Sequence, residues 1–138
     1  MMPLLLDTGP IVAAANTKDE FHTECLRLLE THPGPLLLPA ALVTEIGYML
    51  ALRGGHQAEA DFLADVADGI YELVPLTKAD ARRAAELVNK YSDLPLGTAD
   101  AIVVATAERL RLREIATVDR KHFNIVRPIH TPTFILLP

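Results

Sequence analysis

Residues 97–119 read GTADAIVVATAERLRLREIATVD. Thr98 is a good helix N-cap, and the residues behind it predict a helix to about Leu112. Ile102, Val103, Val104, Ala105 and Ala107 make that helix apolar nearly all round, which predicts burial. Glu114 to Val118 then predicts a short strand, closed by Asp119. A buried helix running into a strand is the building unit of an α/β domain.

The pattern repeats on the N-terminal side. Leu4 to Leu6 predict a buried strand, and Asp7-Thr8-Gly9-Pro10 a helix start, with Pro10 suited to the first turn. Residues 18–31 have helical spacing at Phe21, Cys25, Leu28 and Leu29, and Pro33-Gly34-Pro35 ends the segment. Leu36 to Leu38 predict a second strand. Pro39 opens a helix that runs to about Arg53 and stops at Gly54-Gly55, and residues 56–68 form another amphipathic helix. Ile70 to Leu76 predict a third strand. Thr77 caps a helix over 78–90 with an apolar face of Ala81, Ala84, Ala85 and Val88. Tyr91 to Gly97 is a break. Pro132 to Leu136 predict a fifth strand, placed at an edge by the flanking prolines. Strands alternating with helices imply parallel pairing in one layered α/β domain over residues 1–138.

The totals agree with one packed domain. Half of the 138 residues are hydrophobic and 22% are charged, which excludes a disordered chain. A net charge of −5 argues against general nucleic-acid binding, though not against a local basic rim. The single cysteine, Cys25, excludes an internal disulfide, fits a reducing cytoplasm and reads as a core thiol. MMPLLLDTGPIVAAA lacks a basic leader, so it is not read as a signal peptide. No apolar run reaches about 18 residues, so no membrane span is expected.

Four acids stand in or beside apolar segments: Asp7 in PLLLDTGP, Glu45 in LVTEIGYML, Asp100 in LGTADAIVVA and Asp119 in EIATVDRKHF. A buried carboxylate is costly unless paired, and four brought together need a cation, of which a divalent metal is the obvious one. Asp7 and Asp119 follow strands at the end where open parallel sheets gather ligands. As single residues each also reads as a cap or turn acid. Glu45 shares a helix side with Leu42 and Met49, an uncommon place for a glutamate. Asp100 suits the helix dipole in a first turn, yet its helix carries it inward. Asp93, in the break, is a possible accessory acid or a surface loop residue. Thr117 lies on the same strand side as Asp119, where it reaches a ligand or the acids, or simply suits a strand. Arg109, Arg111, Arg113, Arg120 and Lys121 gather around the last two motifs, as an RNA-binding patch or a solvated basic face.

Other chemistries find less support. The five histidines lack zinc-site spacing and read as surface or loop residues. There is no phosphate-binding glycine motif and no nucleophile elbow. A phosphatase with paired acids after its first strand is disfavoured because position 9 is Gly.

Taken together, LLLDTGPIVAA, TEIGYML, DLPLGTADAIVVATAERL and IATVDRKHF resemble the four motifs of a PIN domain, in particular a VapC-type toxin ribonuclease, in order and over nearly the whole chain. The resemblance implies a three-layer α/β/α fold with a central parallel sheet of four or five strands ordered 3-2-1-4-5. It implies that Asp7, Glu45, Asp100 and Asp119 form the catalytic metal cluster, with Asp93, Thr98 and Thr117 as possible accessories. Asp7 and Asp100 are the expected main ligands of Mg²⁺ or Mn²⁺. It further implies RNA cleavage by metal-activated water, leaving 5′-phosphate and 3′-hydroxyl ends, and a homodimer silenced by a small antitoxin. A non-catalytic interaction module and a metal-dependent phosphatase are the alternatives.

Overall fold

The structure is a computed structural model that describes residues 1–138. Its five strands are β1 (Leu4–Leu6), β2 (Leu36–Pro39), β3 (Glu72–Val74), β4 (Glu114–Ala116) and β5 (Ile135–Leu137). All pair in parallel, in the order β3-β2-β1-β4-β5. This is the expected 3-2-1-4-5 sheet. The helices are α1 (Thr8–Ala14), α2 (His22–Thr31), α3 (Val43–Ala67), α4 (Lys78–Lys90), α5 (Thr98–Leu110) and α6 (Arg120–Ile125). Helix α1 packs on α2 and α3, and α4 packs on α5. No helix is long and apolar enough to cross a membrane.

Strand β1 is all leucine and buried completely, because helices cover both faces and strands flank both edges. β3 lies at one edge. There Ile70 and Leu76, expected within the strand, stay exposed outside it. The fifth strand also takes an edge, shifted to Ile135–Leu137.

Several expected boundaries move for local reasons. Pro39 ends β2, and a 3₁₀ turn over Ala40–Leu42 precedes α3. The expected stop at Gly54-Gly55 is a kink inside α3, where Gly55 takes φ 77° and ψ −175°, a conformation open to glycine. Gly97, not Thr98, occupies the N-cap of α5, so Thr98 is its first helical residue and makes no cap bond. At its other end Arg111 turns left-handed at φ 56°. Arg111 and Leu112 donate N–H groups to the Glu108 and Ala107 carbonyls, ending the helix short of Leu112.

Thr77 caps α4 as expected, in a reciprocal capping box with Asp80. The buried face of that helix differs from expectation. It carries Asp80, Ala84 and Leu87, whereas Ala81, Ala85 and Val88 are exposed. Asp80 turns inward because Arg109 of α5 waits for it, with Nε 2.9 Å from Oδ1 and 3.1 Å from Oδ2. Cys25 is a core thiol as expected. It is buried, and desolvation together with Asp19 and Glu24 pushes it up to about 11.

Candidate metal centre

The centre forms where the strand order reverses. β1 and β4 pair side by side in parallel, with Leu6 opposite Ala116, so the chain leaves both strands at the same end of the sheet. Asp7 follows β1 directly, and its N–H donates to the Ala116 carbonyl at 3.0 Å. The turn after it needs Gly9. A Cβ there would lie 2.6 Å from Cγ2 of Val118, a stiff β-branched neighbour.

Asp7 occupies the N-cap position of α1, but its side chain caps nothing. It points into the protein, only 6% exposed, and Thr117 donates its hydroxyl proton to Oδ2 at 2.8 Å. The same Thr117 oxygen accepts the Asp119 N–H at 2.9 Å. One buried hydroxyl therefore ties the acid of β1 to the acid that follows β4. The cap or turn reading of Asp119 also holds, since Oδ1 accepts the His122 N–H at the start of α6.

Asp100 enters from α5, whose residues Ala101 to Glu108 are all buried. Its Oδ2 lies 2.8 Å from His122 Nδ1, which is also 2.8 Å from Asp119 Oδ2. Asp100, Asp119 and His122 each offer a ligand atom within 4.8 Å of the others, spacing that suits one metal ion. His122 corrects the expectation that all histidines are surface or loop residues. A clue lay in the sequence, because a histidine three residues after Asp119 on a helix shares its face.

Burial and the neighbouring Asp100 carboxylate push Asp7 up to about 7, although Thr117 and the Thr8 N–H pull the other way. Asp100 is likewise raised, first by burial and then by Asp119, with His122 opposing. No lysine or arginine forms an ion pair with Asp7, Asp100 or Asp119. Carboxylates kept close and left short of positive charge suit a hard divalent cation, so the donor set fits Mg²⁺ or Mn²⁺.

The remaining candidates are exposed or held by other partners. Glu45 is exposed in the first turn of α3, and the buried stripe there runs through Leu42, Ile46 and Leu50 instead. The 3₁₀ turn under Leu42 breaks the helical spacing that put Glu45 on its side. Asp93 is exposed in the turn after α4, and Thr98 is exposed on α5. Neither takes part in a side-chain hydrogen bond. The basic cluster divides. Arg109 is held by Asp80 and the Pro75 carbonyl, which removes it from an RNA-facing patch, and Arg120 donates to the Pro138 carbonyl. Arg111, Arg113 and Lys121 are exposed and unpaired.

Three acids gathered at the switch point of a 3-2-1-4-5 parallel sheet, one of them buried, define a class. A family model described as PIN domain matches residues 4–127, and the chain belongs to that family. It is 33% identical over 135 residues to Ribonuclease VapC26 of Mycobacterium tuberculosis, covering 98% of this chain and 100% of that protein. Solved structures share the fold. The chain superposes on Mycobacterium tuberculosis VapC20, described as a sarcin-ricin loop cleaving toxin, with TM-score 0.76 at 19% identity, covering 81% of this chain and 86% of the other. VapBC2 of Rickettsia felis, bound to a promoter DNA fragment, gives TM-score 0.68 at 17% identity, covering 98% and 97%. A toxin–antitoxin complex from Klebsiella pneumoniae gives 0.67 at 23% identity, covering 96% and 99%.

Proposed function

We propose that this chain is a metal-dependent endoribonuclease, the toxin half of a VapBC-like toxin–antitoxin pair. One observation carries the proposal: Asp7, Asp100 and Asp119 converge, two of them with raised proton affinity, and the protein gives them no lysine or arginine partner. Identity with a named ribonuclease over the whole chain supports the choice of RNA as substrate.

Asp100 and Asp119 would hold the ion from α5 and the end of β4, with the buried Asp7 carboxylate adding negative charge beside them. When bound, Mg²⁺ or Mn²⁺ polarises a water for attack and offsets charge on the phosphodiester. Thr117 keeps Asp7 and Asp119 aimed at one point. Asp119, the more exposed of the two acids beside His122, or Glu45 from α3 accepts the water's proton. Arg111, Arg113 and Lys121 supply positive charge for the RNA backbone, while Asp93 and Thr98 stand as exposed accessories. The products carry 5′-phosphate and 3′-hydroxyl ends.

The partners are a second copy of the chain and a small antitoxin. A largely apolar trough of about 590 Å³ runs between α1, α2 and the second half of α3, past Ile11, Leu29, Leu50 and Phe62. Glu30, Asp61 and Asp65 border it, which suits an amphipathic antitoxin helix with basic flanks.

The test is RNA cleavage by purified chain with Mg²⁺ or Mn²⁺, with chelator, and by Asp100→Asn, with the product ends sequenced. Cleavage that needs the ion and Asp100 is expected. Cleavage that persists with chelator or in the variant overturns the mechanism. Intact RNA throughout, beside turnover of a generic phosphoester, favours a phosphatase. No turnover of either substrate points to an interaction module.

A further inference from the structure

We infer that His122 is a nitrogen ligand of this metal centre and biases it toward Mn²⁺ over Mg²⁺. The inference rests on the metal-dependent reading above and adds to it a nitrogen donor that is not among the four motif acids.

The spacing comes first. Adjacent donors each about 2.1 Å from one octahedral ion lie about 3 Å apart. His122 Nδ1 lies 2.8 Å from Asp100 Oδ2 and 2.8 Å from Asp119 Oδ2. The nitrogen is thus at neighbouring-ligand spacing from each carboxylate, and all three residues offer atoms within 4.8 Å of one another. An imidazole held only as a hydrogen-bond donor has a single proton on Nδ1 and serves one carboxylate well, not two.

The backbone that carries the ring is also held in place. The His122 main-chain N–H donates to Asp119 Oδ1, and the Asp119 main-chain N–H donates in turn to Thr117 Oγ1. The next residue, Phe123, is fully buried and packs edge-on against Phe134 at 6.3 Å. Helix α6 therefore delivers the imidazole to the acids, and the His122 side chain is only 22% exposed. Asp7 completes the picture from the interior, a carboxylate 6% exposed with Thr117 as its one side-chain partner. It is electrostatically coupled to both Asp100 and Asp119.

The donor set decides the ion. Mg²⁺ is met by oxygen donors and keeps several waters. Imidazole is the ligand of first-row transition metals, and Mn²⁺ is the member of that series that also accepts a mostly carboxylate site. Two aspartates with one imidazole therefore discriminate where carboxylates alone would not.

The experiment titrates Mn²⁺ and Mg²⁺ into the full chain, without a histidine tag, by calorimetry. Pulsed electron paramagnetic resonance then reads nitrogen coupling on the bound Mn²⁺. His122→Asn and His122→Gln are measured alongside, with circular dichroism to check folding. Nitrogen coupling is expected in the parent chain and absent in both variants. Mn²⁺ should bind about tenfold or more weakly to the variants, and Mg²⁺ less than about threefold more weakly. Bound Mn²⁺ without nitrogen coupling in the parent chain overturns the role of His122 and leaves the metal centre standing; that readout needs no variant. Absence of Mn²⁺ and Mg²⁺ binding in the parent chain removes the metal-dependent reading and this inference together.

Discussion

Two aspartates with little exposed surface, one deep in the protein and one nearer its surface, behave in opposite ways. Asp80, at the seam of α4 and α5, is 2% exposed, and Asp7, at the end of β1, is 6% exposed. Burial alone raises either carboxyl. At Asp80 the Arg109 guanidinium and the Thr77 cap outweigh it and hold the carboxyl below its usual range. At Asp7 no cation answers, the Asp100 carboxylate adds to the effect of burial, and the group rises to about 7. The seam is complete within the chain. The pocket is built to be completed from outside, which is the physical difference between a structural ion pair and a binding site.

The strongest way to break the contrast is to exchange what each acid lacks or holds. Asp7→Asn should reduce RNA cleavage about a thousandfold, the several kcal/mol that metal activation supplies. Its melting temperature should stay level or rise at neutral pH in chelator. A variant that cleaves normally would place the pocket outside the chemistry. Arg109→Ala should do the reverse and leave Asp80 buried without its partner. A loss of about 2 kcal/mol is expected in urea unfolding, lowered from the fully buried case because the arginine is partly exposed. An unchanged midpoint would show that the seam contributes little.

Thr117→Val should sharpen the comparison by loosening the pocket without removing an acid. Metal affinity by calorimetry should fall about tenfold, and Thr117→Ser should restore it. Equal loss in both variants would indicate packing, not the hydroxyl.

The smallest effect is a slope. Asp7 releases its proton near 3.8 in the unfolded chain and near 7 in the folded one. Between those values the folded state keeps a proton that the unfolded state has given up. Stability in chelator therefore falls as pH rises across that window and levels off above it. Asp80 acts with the opposite sign, its contribution being lost on acidification. Urea unfolding from pH 4 to 8 should show the downward component vanish in Asp7→Asn and weaken when Mn²⁺ is present. An identical pH profile in Asp7→Asn and the parent chain would contradict the link.

What the sequence disclosed follows the range of the forces involved. Strand runs such as Leu4–Leu6, the Thr77 cap and the break at Gly54-Gly55 are local, and each is visible in its own few residues. The partial burial of Asp100 was legible because α5 is apolar nearly all round just behind it. Pairing across the fold was not. Arg109 reads as a free cation until Asp80, 29 residues earlier, is seen beside it. The apolar face expected on α4 rotated for the same reason, since an aspartate paired with an arginine across the seam outweighed three small or branched apolar side chains. Glu45 was placed by helical spacing across a turn that is not α-helical. His122 is not legible from zinc-type spacing, because its partners are carboxylates, one of them 22 residues upstream.

The hydrogen bond from Thr117 to Asp7 spans 110 residues. Strand β4 and the acid after it are among the last parts of the pocket to be synthesised. A growing polypeptide on the ribosome holds Asp7 and Glu45 long before Thr117, Asp119 and His122 exist. Under the proposed function, an enzyme that cuts RNA thus has its competence timed by chain order, and the pocket closes only once Thr117, 110 residues after Asp7, has been made.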